Sequence, residues 1–375
     1  MAEFDLSFSP SSFNDGGSFK LLELPPDLCK LIEHAIDNIL QIKGQAGDDA
    51  VLCTAEKTFA VRSVALSNSV LVVTPPLDAS APNFTDDALV IRDQINEILE
   101  LTPSVPKLHA LTALLRGREY DDGQENDEMY EKPPEDMAIE FKYTYYDALR
   151  NIQASDAELD RGLKDRHILN INGELRPIAP SYLNRLLELI LNGLTALSLS
   201  HESASVEILS SSLADEHEVP RVVSTQVMSW FGIIKDGRWK MEVNTFIKEV
   251  GLGVLRHHRQ EPIRLNQLMA KWKSLVGDTF ENHVDLSLLS GNYLVSISDQ
   301  ESLTYFPASS LPIDPAPRFA DLFSTRSRWK GKDISPFLAD IAINSKERDK
   351  LLLKFARATT DPEGTWYTAR AQYNG

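Results

Sequence analysis

The pattern of apolar and polar positions divides the chain into a β-rich first part and a helical second part. In the first part, short runs rich in β-branched residues occupy Val51–Thr54, Thr58–Ser63 and Ser69–Val73, with gaps between them that suit turns. These runs predict a meander of short strands. Because a small sheet of this kind has open edges and one apolar face, we expect a helix or the strands of another chain to complete it.

Two segments lack an apolar pattern. Residues 1–18 are rich in Ser, Asn, Asp and Gly, which predicts a flexible tail. Residues 119–136 hold nine acidic residues and one basic residue, together with glycine and a proline pair. That composition predicts a solvated acidic linker, and an acidic interaction segment is the alternative.

After the linker, a pattern of three helices followed by a β-hairpin recurs roughly every sixty residues. The first full copy contains a long amphipathic helix at Ser181–Leu199 and a hairpin with Asp236-Gly237 at its turn. An earlier helix and hairpin, with Asn172-Gly173 at the turn, resemble a partial copy. Three helices followed by a hairpin are typical of the winged-helix form of helix-turn-helix proteins, and tandem copies predict an extended array.

The predicted fold class is therefore α+β, with an N-terminal β-meander that completes a barrel with partner chains and a tandem array of winged-helix domains after it. The predicted boundaries are a tail at 1–18, a β-rich domain at 19–118, the linker at 119–136, the partial and first winged-helix units at 137–243, the second at 244–315 and the third at 316–375.

The sequence contains no recognisable catalytic motif. There is no GxxxxGK[ST], GxGxxG or GxSxG, so neither a phosphate-binding loop nor a nucleophile elbow is predicted. His257 and His258 are the only adjacent histidines, and neighbours on a helix point about 100° apart, which does not suit a metal site. We therefore expect no enzyme activity, no cofactor and no metal. The two cysteines, Cys29 and Cys53, predict a reducing compartment, the cytosol or the nucleus.

Charge is distributed unevenly along this acidic chain, whose formal net charge is −17. Residues 1–160 contain 30 acids and 12 bases, whereas residues 318–375 contain 11 bases and 7 acids. The reversal of sign predicts different partners for the two ends. No apolar run is long enough to span a bilayer, and the N-terminus does not resemble a signal peptide, so no membrane association is expected.

The basic C-terminal segment suggests contact with DNA. On a helix over Ser345–Ala358, the four cations Lys346, Lys350, Lys354 and Arg357 fall within an arc of about 80°. A hairpin strand with aromatic and arginine side chains follows, which is how a winged helix contacts a duplex backbone. The predicted DNA-binding residues are Arg326, Arg328, Lys330, Lys332, Lys346, Lys350, Lys354, Arg357, Trp366, Tyr367 and Arg370.

Two other interpretations stay open. A winged-helix transcription regulator would present Asn, Gln or Arg from its third helix to base edges, but the last predicted helix is rich in lysine and has no Asn or Gln. That composition favours contact with the DNA backbone over readout of bases. A pure protein-interaction array, in which the basic stripe meets an acidic partner, is the second alternative. Binding to naked duplex DNA would distinguish them.

Four stretches resemble a known family, the sister chromatid cohesion (Dcc) subunits of the alternative replication factor C clamp loader. They are LLELPPDLCKLIE, IKGQAGDDAVLCTAEKTFAVRSVALSNSVLVV, RSRWKGKDISPFLADI and LLLKFAR. The resemblance covers most of residues 19–370. It implies a non-catalytic nuclear protein whose N-terminal strands join a small cohesion subunit and the C-terminal tail of the large clamp-loader subunit in a shared barrel.

The resemblance also implies a role in DNA replication. Members of this family bind single- or double-stranded DNA through C-terminal winged helices and connect the clamp loader to the catalytic subunit of the leading-strand DNA polymerase epsilon. That connection supports loading or unloading of the sliding clamp PCNA, which is an indirect partner. We carry the DNA contacts over only to the basic and aromatic positions named above.

Overall fold

A computed structural model describes residues 5–8, 19–34, 40–75, 88–121, 142–296, 299, 301–362 and 364–370. The protein is a mixed α+β structure that divides into two compact units. Unit 1 comprises residues 1–107 and 150–158, and unit 2 comprises residues 108–149 and 159–375. Most of the predicted acidic linker, from residue 122 onward, lies outside the described residues.

Unit 1 is built on one sheet with two long strands. Its strands are β1 (Asp5–Phe8), β2 (Leu21–Glu23), β3 (Gln41–Lys43), β4 (Val51–Cys53), β5 (Thr58–Thr74) and β6 (Ala88–Pro103), and helix α1 spans Pro26–His34. The strand order is β1-β6-β5-β4-β3, and β2 also pairs with β6. The described strands form an open sheet and not a closed barrel.

The predicted meander is wrong in one respect. The runs Thr58–Ser63 and Ser69–Val73 belong to the single strand β5, which pairs antiparallel with β6 over almost its whole length. The register shifts between Ala65 and Val70, where β5 carries extra residues against β6. A bulge of this kind interrupts the alternation of side chains without ending the strand, which explains why the sequence suggested two strands.

A second segment returns to unit 1 from further along the chain. Gln153 is buried, and its Nε2 donates to the backbone oxygens of Asp49 at 2.7 Å and Lys43 at 3.3 Å. The buried Lys43 in turn donates to the oxygen of Ala154 at 2.7 Å. Thr58 donates to the Glu158 carboxylate at 2.6 Å. Residues 150–158, which we name the return segment, are therefore held against the rest of unit 1 by hydrogen bonds. Several of the groups involved are buried, and buried polar groups require such partners.

Unit 2 begins with short helices and a hairpin. Its first elements are α2 (His109–Leu114), α3 (Tyr145–Asn151), α4 (Asp156–Asp165), β7 (Ile168–Ile171) and β8 (Glu174–Pro177). The return segment begins within α3 and ends within α4. At the β7–β8 turn Asn172 has φ 51° and Gly173 has φ 84°. These left-handed conformations are those a two-residue hairpin turn requires, so the predicted Asn-Gly turn is confirmed.

Three repeats with one element order follow. Repeat 1 comprises α5 (Pro180–Ala196), β9 (Ala204–Ser205), α6 (Val206–His217), α7 (Arg221–Trp230), β10 (Gly232–Lys235) and β11 (Arg238–Met241). Repeat 2 comprises α8 (Val243–His257), β12 (Ile263–Arg264), α9 (Leu265–Val276), two 3₁₀ turns (Glu281–His283 and Leu286–Leu289), β13 (Tyr293–Val295) and β14 (Ser302–Tyr305).

Repeat 3 comprises α10 (Pro315–Thr325), β15 (Arg328–Lys330), α11 (Gly331–Ile334), a 3₁₀ turn (Ser335–Leu338), α12 (Ser345–Phe355), β16 (Ala356–Asp361) and β17 (Gly364–Ala369). In each repeat the last two strands form a hairpin, and the short strand after the first helix completes a three-stranded sheet. The sequence predicted the hairpins but not the third strands. Strands of two or three residues are too short to show an alternating pattern.

Within the described residues, the three repeats of unit 2 enclose two clusters of buried side chains. One cluster runs through repeats 1 and 2 and includes Trp239 and Trp272, both fully buried. The other belongs to repeat 3 and is centred on Trp329, Phe319 and Phe337. Repeat 3, which carries most of the predicted DNA-binding residues, therefore has a core of its own.

Candidate nucleic-acid interface

Helix α12 begins and ends with clear local signals. The Asn344 side chain accepts a hydrogen bond from the backbone nitrogen of Glu347 at 3.0 Å, which caps the first turn. Leu352 and Phe355 are buried against the core of repeat 3. Ala356 is extended and starts strand β16, so the helix ends three residues earlier than predicted. The prediction that Arg357 shares a helical face with the three lysines is therefore wrong, because Arg357 lies on β16.

Acidic side chains accompany the lysines of α12. Lys346, Lys350 and Lys354 are exposed, one turn apart, as their spacing predicts. Lys350 Nζ lies 2.8 Å from the Glu347 carboxylate, and Arg348 lies 3.3 Å from Asp349. Glu347 and Asp349 lie between these cations in the sequence and offset part of their charge. The helix surface is consequently a mixed one, less positive than the lysine spacing alone suggests.

The three-stranded sheet of repeat 3 has a core face and an outer face. Trp329 on β15 is buried, and its Nε1 donates to the backbone oxygen of Leu322 at 3.0 Å. Tyr367 lies opposite Trp329 and packs on the same core, so Tyr367 is a core-facing residue. Because side chains alternate along a strand, Arg328 and Lys330 point to the outer face.

Cross-strand pairing gathers further residues on that outer face. Lys330 lies opposite Trp366, and Arg328 lies opposite Thr368. On the other side of β17, Thr359 pairs with Trp366 and Arg357 pairs with Thr368. Directly opposed residues of antiparallel strands project on the same face. The outer face of the sheet therefore consists of two adjacent rows, Arg328–Thr368–Arg357 and Lys330–Trp366–Thr359.

The cations of the outer face contact the Trp366 ring. The guanidinium carbon of Arg328 lies 4.1 Å from the ring centroid, and Lys330 Nζ lies 4.8 Å from it. Both are cation–π distances. Arg328 also forms an ion pair with Asp361 at 2.7 Å. Two cations of the protein itself, Arg328 and Lys330, therefore contact the Trp366 ring.

The remaining predicted residues are dispersed. Arg326 lies 5.3 Å from the Trp329 ring and donates to the backbone oxygen of Val295, and burial lowers the pKa of its guanidinium. Lys332 is exposed on α11. Arg370 is exposed and donates to the backbone oxygen of Lys354 at 3.2 Å. Arg326 therefore serves contacts within unit 2, whereas the other two side chains remain at the surface.

The part of the chain that the structure describes lacks two other kinds of feature. No group of three or more His, Cys, Asp or Glu residues within it is arranged to hold a metal ion. No helix in these same ranges has both the length and the apolar character needed to cross a bilayer.

The open sheet of unit 1 and the three repeats of unit 2 define a class, a mixed α+β protein with a modular helix-and-hairpin second half. Its sequence matches the family model described as "Sister chromatid cohesion protein Dcc1" over residues 19–338, which is most of the chain. The chain belongs to the Dcc1 family of sister chromatid cohesion proteins.

Relatives extend the similarity over nearly the whole chain. It is 29% identical to the sister chromatid cohesion protein DCC1 of Xenopus tropicalis, covering 97% of this chain and 92% of the relative. Identity to human DCC1 is 26%, with the same coverage of both chains. Identity to the Saccharomyces cerevisiae protein is 23%, covering 94% and 97%. The family match ends at residue 338, before α12 and its hairpin.

Proposed function

We propose that the protein is a non-catalytic subunit of an alternative replication factor C clamp loader, acting in sister chromatid cohesion in the nucleus. Membership of the Dcc1 family is the observation that carries this proposal. The small cohesion subunit, the C-terminal tail of the large clamp-loader subunit and the catalytic subunit of DNA polymerase epsilon are its proposed protein partners. PCNA is reached indirectly, through the loader.

We further propose that unit 1 completes a barrel with strands of the partner chains. The support is its open sheet, in which β5 and β6 extend as a long two-stranded ribbon. Leu71 and Val73 of β5 are exposed at 40% and 36%. Exposed apolar side chains on a long strand pair favour a covering partner, because such surfaces otherwise aggregate.

The proposed assembly predicts the behaviour of the chain with its partners. Co-expressed with the small cohesion subunit and the tail of the large clamp-loader subunit, it should elute from a size-exclusion column as one complex. Changing Leu71 and Val73 together to aspartate should separate the complex, because two charges cannot be buried between strands without partners. The double change Ser67→Asp and Asn68→Asp adds the same charge at exposed polar positions of β5 and serves as the control. Elution of the Leu71 and Val73 variant in the full complex would contradict the barrel.

The three repeats of unit 2 are proposed to be winged-helix domains, of which repeat 3 binds DNA. Their common order of helix, strand, helix, helical segment and hairpin supports this assignment. Repeat 3 combines exposed cations on α12, β15 and β16 with an excess of bases, since residues 318–375 contain 11 bases and 7 acids. We expect these cations to contact phosphates, so that binding depends weakly on base sequence.

Binding to DNA is tested by salt dependence. The logarithm of the affinity should fall linearly with the logarithm of salt concentration, with a slope of about −0.9 for each phosphate contact. Replacing Arg328, Lys350, Lys354 and Arg357 together with glutamate should weaken binding on every duplex alike and flatten the slope. Fluorescence anisotropy with several unrelated duplexes measures both quantities.

The control for this test is Lys235→Glu, an exposed position on β10 of repeat 1, which should leave affinity and slope nearly unchanged. Absence of salt-dependent binding by the unaltered protein would contradict DNA binding and favour a protein-interaction array. Preference for one duplex by roughly a thousandfold or more would favour a transcription regulator.

A further inference from the structure

The cations of repeat 3 lie on two separate surfaces, the exposed side of α12 and the outer face of its sheet. We propose that the outer face of the sheet is the phosphate-binding surface, and that Trp366 is a positioning residue that holds Arg328 and Lys330 in place for it. This inference rests on the proposed DNA binding and specifies which side chains perform it. The occupant is the phosphate backbone of a nucleic acid, and not its bases.

Cations and hydroxyls are concentrated on the outer face of the sheet. In two adjacent rows across three strands the outer face presents Arg328, Lys330 and Arg357 with the hydroxyls of Thr359 and Thr368. Strands lie about 4.8 Å apart, so the two arginines at the ends of one row have strand positions about 10 Å apart. Guanidinium groups and hydroxyls are the side chains that contact phosphate oxygens.

The cations of the outer face are held in place before any phosphate binds. Arg328 and Lys330 both lie within cation–π distance of the Trp366 ring, and the Trp366 Nε1 is shielded from solvent. Contact with the ring restricts long side chains that would otherwise lose conformational freedom on binding. Trp366 is partly buried and two cations lie against its ring, so we infer that this aromatic residue acts through its neighbouring cations.

Asp361 lies beside Arg328 on the outer face of the sheet. Its carboxylate lies 2.7 Å from Arg328 on the same outer face, where a phosphate would also be placed. The carboxylate therefore offsets the charge of Arg328 in the absence of DNA and would repel a phosphate placed beside that arginine. On α12 the corresponding pair is Glu347 with Lys350 at 2.8 Å. The two pairs offer matched tests, because removing either acid changes the net charge by the same amount.

The test compares Asp361→Asn with Glu347→Gln in the full-length protein. The probe is a fluorescein-labelled 30-base-pair duplex of random sequence, titrated at several salt concentrations. Asp361→Asn should raise the affinity roughly two- to fivefold, the range that an exposed ion pair is worth, and steepen the salt slope by up to about 0.9. Glu347→Gln should change both quantities much less. An equal or larger gain from Glu347→Gln would overturn the proposal and assign the contact to α12.

The positioning role of Trp366 is tested by substitutions that leave the net charge unchanged. Trp366→Leu should lower the affinity and flatten the salt slope, whereas Trp366→Tyr, which keeps an aromatic face, should restore both in large part. Thermal unfolding of each variant shows whether repeat 3 stays folded. Equal affinities for folded leucine and tyrosine variants would refute the positioning role. Failure of the unaltered protein to bind the duplex at all would instead refute the proposed function, so the two failures are distinguishable.

Discussion

Replacing Trp329 with alanine should destabilise repeat 3 by about 3–5 kcal/mol, the range observed for truncating a large buried aromatic residue. Trp329 is 1% exposed and lies at the centre of the core of repeat 3. Its ring contacts Phe337 edge-on, with 5.5 Å between centroids, and its Nε1 donates to Leu322. Alanine removes the ring, leaves a cavity and deprives a backbone oxygen of its donor.

The loss of stability caused by Trp329→Ala should be confined to repeat 3, since this repeat has a core of its own. Hydrogen exchange of the full-length protein should show amides of β15, α12 and β17 losing protection while those of repeat 1 keep it. Leu353→Ala is the matched control, because Leu353 on α12 is 67% exposed and its loss should cost little. Equal protection in the Trp329 and Leu353 variants would contradict the assigned core.

The second large effect is expected at the ion pair of Arg318 and Asp340. The Arg318 side chain is fully buried, and its Nη2 donates to the backbone oxygen of Ala308 at 2.8 Å and to the Asp340 carboxylate at 2.8 and 2.9 Å. Asp340→Ala leaves a buried guanidinium without its counter-charge. Loss of one partner of such a pair costs about 3–5 kcal/mol, and the half-exposed Asp340 places this case near the lower end.

The opposite substitution should be milder. Arg318→Met removes the buried charge itself and fills much of the same volume, and the Asp340 carboxylate that then lacks its partner is half-exposed and can be solvated by water. The Nε and Nη1 atoms of Arg318 are buried without a hydrogen-bond partner among the described residues, which adds to the cost of keeping the arginine. Urea denaturation of both variants provides the comparison. A larger loss for Arg318→Met than for Asp340→Ala would show that packing, and not charge, dominates here.

The repeats could be predicted because their signals are local. Asp236 and Gly237 have φ values of 50° and 71°, the left-handed conformations that an Asp-Gly hairpin turn adopts. The amphipathic helix predicted at Ser181–Leu199 is α5, which differs by a few residues at its ends. The apolar periodicity of a long helix and the dipeptide of a hairpin turn each involve residues close together in sequence. Both signals can therefore be recognised in one sequence.

The errors arose where the deciding contacts are distant in sequence. Arg357 was assigned to a helix because its spacing continued the lysine pattern, but pairing with β17 draws the chain into a strand after Phe355. For the same reason the division of cations between α12 and the outer sheet face could not be foreseen. Asp361 and Glu347 were visible in the sequence, whereas their proximity to Arg328 and Lys350 depends on the fold.

The return segment has a consequence for how the protein folds during synthesis. Unit 1 requires residues 150–158, while its sheet is complete by Pro103. At about 5–20 residues per second, a ribosome needs roughly 3–10 s to add the intervening and returning residues. During that interval the backbone oxygens of Lys43 and Asp49 lack Gln153, and the sheet is exposed with its edges open. Unit 1 therefore cannot form all its hydrogen bonds until residue 158 has been synthesised, and it is vulnerable to aggregation until then.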